Sequence, residues 1–199
     1  MNNNKKNQTK AVILDLDGTL IDLKVDWVLV RNKMTDFCSK NGIKASFAYP
    51  KPIYEIAKTV SKTKKFYAGL IAIIAKEELK SVKKAKLMPG AKDFLEFLYT
   101  GGVSFAVLSN NNSQCVAEIF KKFKLPNSKI VIGSDNVKHL KPHPEGLNKI
   151  FGKMKIKNTE CLLIGDSDAE LQLGKVAGVR TFIVGGRTKD FSQLKNILI

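Results

Sequence analysis

The chain has no apolar run approaching the ~20 residues a membrane-spanning helix requires, no C-x-x-C pair, and few cysteines, prolines, histidines or arginines. Its opening residues, Met1 to Lys6, carry no apolar stretch of the kind a secretory signal needs, so a soluble, cytoplasmic protein is expected. Cys38, Cys115 and Cys161 are odd in number and widely spaced, which argues against a disulfide framework or a zinc site and for reduced, buried thiols. Acidic residues are scarce: 18 against 34 lysines and arginines, a net charge of +16. Such an excess attracts anions. The lysines are nevertheless spread through nearly every polar stretch rather than gathered into one arginine-rich, aromatic-interleaved stripe. A dedicated nucleic-acid partner is therefore not expected, whereas a small anionic ligand is.

What is present is a chain of 199 residues, 44% of them hydrophobic, enough for one well-buried core and a modest second unit. Residues 1–10 are polar and aperiodic and read as a disordered tail. Short apolar runs follow at 11–14, 104–108, 129–132, 161–164 and 181–184. Their apolarity is continuous rather than alternating, as in strands buried on both faces. Helical patterns occupy 91–99, 113–123, 145–151, 169–177 and 191–198, some closed by glycines such as Gly101 and Gly178. Alternation of strand and helix specifies an α/β fold with a parallel sheet and places its chemistry beyond the carboxyl ends of the strands. Residues 22–87 break the rhythm. Their periodicity predicts a helix around Val25 to Phe37 and others at 53–60 and 66–79, interrupted near Pro50 and Pro52, so 22–87 reads as a helical insertion into a core formed by 11–21 and 88–199.

The polar signatures lie where strands end. Asp15-Leu16-Asp17-Gly18-Thr19 follows the first strand directly and sets two carboxylates two residues apart in a crevice, where a divalent cation is their natural partner. Gly18 permits a sharp turn, and Thr19 offers a hydroxyl and an amide to a phosphate. Ser109 and Asn110 end the second strand, Lys141 lies in Leu140-Lys141-Pro142-His143-Pro144-Glu145, and Gly165-Asp166-Ser167-Asp168-Ala169-Glu170 ends the fourth. Together these supply hydroxyl, cation and metal ligand, the groups phosphoryl transfer needs.

In these four segments, taken in order from Ala11 to Val184, the chain resembles the haloacid dehalogenase (HAD) superfamily. The resemblance implies a Rossmann-like parallel sheet of at least five strands with a small all-helical cap inserted after the first motif, as in phosphoglycolate phosphatase-like members. It implies a Mg²⁺-dependent phosphatase acting on a small phosphorylated metabolite through an aspartyl phosphate. Asp15 would be the nucleophile, Asp17 the acid and base, and Gly18, Thr19, Ser109, Asn110 and Lys141 the phosphate-binding residues. Mg²⁺ would lie on Asp15, the main-chain carbonyl of Asp17, and Asp166. Where members of the family commonly carry a second aspartate four residues after the first in the last motif, this chain has Glu170, with Asp168 between; either could support the metal from the second layer. Arg31, in the insertion, is a candidate for the substrate beyond its phosphate because its fork suits a carboxylate.

Other readings are weaker. A dehalogenase or phosphonatase does without the second aspartate of the first motif, and Asp17 is present; a phosphomutase or a non-catalytic binding protein on the same scaffold are the alternatives. His139 and His143 flank Lys141 in what reads as a rigid loop where only the lysine is catalytic. Gly185-Gly186 lacks the G-x-G-x-x-G spacing of a dinucleotide site and reads as a turn. Trp27, Tyr54 and Tyr67 are expected in the core of the insertion.

Overall fold

A computed structural model describes residues 9–49, 51–185 and 191–198. The expected disordered tail falls outside these up to residue 8, as do Pro50 and Gly186. The chain divides into two compact units, Lys24–Lys84 and the remainder. No helix among the described residues is long and apolar enough to cross a membrane.

The larger unit is built on five parallel strands: β1 (Ala11–Leu14), β4 (Ser104–Leu108), β5 (Val131–Ile132), β6 (Cys161–Gly165) and β7 (Arg180–Ile183), in the order β5-β4-β1-β6-β7. Every residue of β1 and β6 is buried, which is why their sequences are unbroken apolar runs. Alternation along the strands sorts them by face. Ala11, Ile13, Ala106, Leu108, Ile132, Cys161 and Leu163 pack with Leu147 and Ile150 of α6 (Glu145–Met154) and Leu173 of α7 (Asp168–Ala177). Val12, Leu14, Val107, Leu162 and Ile164 alternate with them and are buried too, so both faces are covered. The remaining helices of this unit are α4 (Ala91–Thr100), α5 (Ser113–Phe123) and α8 (Phe191–Leu198), with α4 and α8 meeting through Phe94 and Phe191, ring centroids 5.1 Å apart. Each fully buried leucine or isoleucine contributes roughly 1.5–3 kcal/mol. Strand order reverses at β1, whose neighbours continue to β5 on one side and β7 on the other, and in such sheets the crevice at the reversal binds ligands.

A short antiparallel ribbon of β2 (Ile21–Asp22) and β3 (Lys86–Leu87) brackets the second unit. It keeps Asp22, Leu23, Ala85, Lys86 and Leu87 with the sheet, so the helical unit is narrower than the 22–87 expected from sequence. Strands this short leave no period to read.

In the unit Lys24–Lys84, α1 (Trp27–Lys40), α2 (Ile53–Val60) and α3 (Lys64–Ser81) pack on one core. Val30, Met34 and Cys38 recur at four-residue spacing along α1 and meet Phe47, Ile53, Ala57, Leu70 and Ile74, the inward-facing apolar stripe of the helix. Asp26 and Thr63 cap α1 and α3 by accepting the Leu29 and Phe66 amides at 2.9 and 3.1 Å, each cap worth about 1 kcal/mol. Trp27, Tyr54 and Tyr67 border this core. Glu77 of α3 takes ammonium groups from Lys33 and Lys80, both at 2.8 Å, which hold its carboxyl below the ordinary range against the effect of burial.

Arg31 is committed within this unit. One terminal nitrogen donates to the carbonyls of Phe47 and Ala48 at 2.6 and 3.2 Å, the other to Lys51 at 3.0 Å, and the guanidinium lies 3.9 Å from the Tyr49 ring centroid. Three of its five donors thus hold the main chain of Phe47, Ala48 and Lys51, a role inside the insertion that residue type alone does not reveal.

Candidate active site

The four polar segments converge beyond the carboxyl ends of the parallel strands. Asp15 follows β1, Ser109 follows β4, Asp166 follows β6, and Lys141 lies in the loop between β5 and α6. The Lys141 ammonium is the centre of the group, with Nζ 2.5 Å from Asp15 Oδ1 and 2.5 Å from Glu170 Oε1. All three side chains are almost wholly buried. Burial alone would lower the Lys141 pKa, but two carboxylates outweigh it and hold it above its ordinary value. Burial is likewise the largest influence on Asp15, pushing it up to about 6 with help from the Glu170 charge and against the pull of Lys141. Glu170 settles below the ordinary range because Lys141 and Ser167 overcome its burial.

Carboxylate oxygens of Asp15, Asp166 and Glu170 lie within 4.8 Å of one another. Two of the three carboxylates, Asp15 and Glu170, pair with the one ammonium, and desolvation together with the Glu170 charge raises the Asp166 pKa. The set is all oxygen, negatively charged and under-compensated, the donor chemistry a small hard divalent cation requires. The Asp17 carboxylate stands apart from it. Its Oδ1 accepts the Leu23 amide at 2.8 Å, and its pKa is raised by burial first and by Asp15 and Asp22 after that.

Two glycines make these approaches possible. A Cβ on Gly18, whose φ is +86°, would sit 2.1 Å from Asp166 Oδ2, and one on Gly165 would sit 2.0 Å from Glu170 Cγ. Either Cβ would push the neighbouring carboxylate out of the cluster, and at Gly18 the positive φ disfavours a side chain as well. Glu170 is held further by a capping box at the start of α7: its Oε2 accepts the Ser167 amide at 3.2 Å and the Ser167 hydroxyl at 2.5 Å. One side chain thus completes a helix cap and faces the lysine.

The geometry revises several assignments made from sequence. Gly18 and Thr19 do not turn donors outward: the Gly18 amide donates to Ile21 at 2.7 Å, the Thr19 amide to Leu16 at 3.3 Å, and the Thr19 hydroxyl to Asp166 at 3.3 Å. They shape the loop and steady Asp166. Asn110 grips the main chain of Lys141, its side chain accepting the Lys141 amide at 3.0 Å and donating to the Lys141 carbonyl at 3.4 Å. The Ser109 hydroxyl, buried, donates to Asn111 Oδ1 at 3.0 Å and accepts the Asn111 amide at 3.1 Å. Of the two acidic residues offered after Asp166, Glu170 joins the cluster, while Asp168 is exposed in the first turn of α7.

Sequence reasoning missed Ser167 and Asn111. The S-x-x-E spacing of the capping box was a readable signal for Ser167; a lone asparagine in a strand-end loop carries none.

Comparison with known proteins follows this architecture. The family model described as haloacid dehalogenase-like hydrolase matches residues 12–184. A phosphoglycolate phosphatase of Aliivibrio fischeri is 34% identical over 97 residues, covering 48% of this chain and 43% of that protein. Another from Pseudomonas savastanoi pv. phaseolicola is 24% identical over 184 residues, 85% of this chain and 67% of that one. The chain thus spans less than half the length of the first of these relatives. A solved HAD-superfamily hydrolase of subfamily IA from Geobacter sulfurreducens aligns over 100% of both chains with a TM-score of 0.66 at 19% identity, a likeness of fold. With its parallel sheet, its strand-end carboxylates and a family match running from β1 through β7, this chain belongs to the haloacid dehalogenase-like hydrolases.

Proposed function

We propose that the protein is a Mg²⁺-dependent phosphatase of small phosphorylated metabolites, working through an aspartyl phosphate on Asp15. The observation that carries the reading is the cluster of Asp15, Asp166 and Glu170 at the strand ends, two of whose carboxylates, Asp15 and Glu170, share the buried ammonium of Lys141. A carboxylate that attacks an anionic phosphoryl group needs positive charge to offset repulsion, and Lys141 supplies part of it. Mg²⁺ would be held by the carboxylates of Asp15 and Asp166 and the carbonyl of Asp17, with Glu170 behind them, and when bound it would supply the rest of the positive charge.

The residues divide the work. An Asp15 oxygen attacks phosphorus as the bond from phosphorus to the leaving oxygen breaks, and Asp17 gives that oxygen its proton. Burial supports the second role because it favours the protonated form of Asp17. Water then attacks the same phosphorus, Asp17 takes the proton back, and Asp15 is released as a carboxylate. Ser109 is proposed to hydrogen-bond the transferring group by turning its hydroxyl from Asn111. The helical unit, inserted in the chain soon after the nucleophile, is proposed as the cap that selects the substrate. The phosphoglycolate phosphatases among its relatives support a small phosphorylated acid as the first compound to try.

The test is phosphate release from para-nitrophenyl phosphate, phosphoglycolate and a panel of phosphorylated metabolites, with Mg²⁺ and with chelator. Release that depends on Mg²⁺ is expected. Failure on every compound would defeat the reading, and interconversion of sugar phosphates without net release would identify a mutase.

A further inference from the structure

The chain has two histidines, placed two residues before and two after Lys141, and the proposed phosphoryl chemistry uses neither. Their rings lie 4.4 Å apart between centroids, and both residues are exposed. Glu145, the first residue of α6, reaches the same spot: its Oε2 is 3.2 Å from His139 Nδ1, and one potential ligand atom from each of the three lies within 4.8 Å of the other two. We propose that His139, His143 and Glu145 form a second metal site, for a borderline transition ion such as Zn²⁺, on the loop that carries Lys141.

Donor chemistry separates this site from the carboxylate cluster. Imidazole suits Zn²⁺, Cu²⁺ and Ni²⁺, whereas an all-oxygen set suits Mg²⁺. Two imidazoles and one carboxylate are also a three-ligand set that leaves a position open to water, and exposure lets water reach it. Bonds of ~2.0–2.2 Å put tetrahedral ligand atoms roughly 3.4 Å apart, so the exposed rings must close inward somewhat from their present spacing. The carboxylate is already aimed. The amides of Lys138 and His139 donate to Oε2 at 3.0 Å each, and Lys149 pairs with Oε1 at 3.0 Å, which fixes the plane of the group and leaves Oε2 toward His139. The cost falls on His143, whose Nδ1 accepts the Glu145 amide at 3.2 Å, a contact that ligation through a turned ring gives up.

Occupancy has a consequence for catalysis. Drawing His139 and His143 onto one ion re-sets the backbone on both sides of Lys141, whose Nζ must stay 2.5 Å from Asp15 and Glu170. A bound transition ion therefore slows turnover, and small displacements of a catalytic group suffice for that.

The experiment is a Zn²⁺ titration of chelator-stripped full-length protein in excess Mg²⁺, followed by calorimetry, on wild type, the double variant His139→Gln/His143→Gln, and Asp166→Asn. The histidines are exposed, and glutamine preserves their polarity, so the double variant folds. One Zn²⁺ is expected on wild type and on Asp166→Asn, with affinity falling in the double variant by more than the ~100-fold that loss of a mere outer-shell partner can cost. No binding by wild type, or equal binding by the double variant, overturns the site. Loss of binding in Asp166→Asn alone assigns the ion to the carboxylate cluster and overturns it as well. None of these readouts depends on phosphatase activity. In a parallel assay of Mg²⁺-dependent turnover, Zn²⁺ should inhibit wild type and spare the double variant; binding without inhibition overturns the coupling to Lys141.

Discussion

Glu170 and Glu145 occupy the same kind of place and meet different ends. Each stands in the first turn of a helix, α7 or α6, where a negative charge suits the positive end of the helix dipole. Each accepts hydrogen bonds from main-chain amides and from a lysine, and each carboxyl lies below its ordinary pKa. Burial separates them. Glu170 is 1% exposed and shares a buried ammonium with Asp15, whereas the Glu145 side chain is 20% exposed and faces two imidazoles and the Lys149 chain. A helix-capping glutamate becomes part of a reaction centre when its partner is a desolvated charge, and remains a loop anchor when water screens it.

The comparison breaks most severely at the lysine. Lys141→Met should remove the one ammonium between two buried carboxylates and cost about 3–5 kcal/mol of stability, the usual penalty for orphaning a buried ion pair. Urea unfolding measures it, and a midpoint equal to wild type would mean the pairs are not buried in solution. Lys149→Met, its counterpart beside the solvent-screened Glu145, should leave the midpoint close to wild type.

Glu170→Gln tests the other side of the contrast. It keeps shape and most hydrogen bonds but removes the charge, so Mg²⁺ affinity should fall about 10–100-fold. Titration of turnover against Mg²⁺ reads this directly, and unchanged affinity would exclude Glu170 from support of the metal.

A smaller loss is expected for Asn110→Ala. That side chain fixes the Lys141 main chain from both sides, and misplacing the ammonium should lower kcat by roughly ten- to a hundredfold with KM little changed. A rise in KM at constant kcat would return Asn110 to the phosphate.

The least effect is in acid. The amides of Lys138 and His139 and the Lys149 ammonium hold Glu145 down at about 2. A depressed carboxyl stabilises the fold above its unfolded pKa, near 4.5, and loses that contribution as pH falls through the folded value. The melting temperatures of wild type and Glu145→Gln should therefore differ above pH 4.5 and converge toward pH 2. A constant gap would show that charge is not what Glu145 contributes.

Much of this was legible beforehand. The strand ends were readable because doubly buried strands are unbroken apolar runs, and a run such as Ala11–Leu14 followed at once by Asp15 leaves little freedom in where the carboxylate goes. Gly18 was recognisable as a turn residue, but the reason it must be glycine is Asp166, 148 positions later in the chain and invisible to local pattern. Orientation was the general failure. Residue type marked Thr19, Asn110 and Arg31 as donors, and nothing in a linear sequence says whether a donor faces a ligand or a neighbouring carbonyl. The two-residue strands of the β2–β3 ribbon were too short to show a period. The histidines were visible as a pair about Lys141, yet a loop has no periodicity from which to infer that they share one face with Glu145.

The central claim is that Asp15 is the nucleophile, and phosphate release by Asp15→Asn tests it most directly. At saturating Mg²⁺ and substrate, with folding checked by circular dichroism, the rate should fall on the order of 10⁴-fold or more, as when a residue that forms the covalent intermediate is removed. A folded Asp15→Asn protein that releases phosphate at the wild-type rate would contradict it.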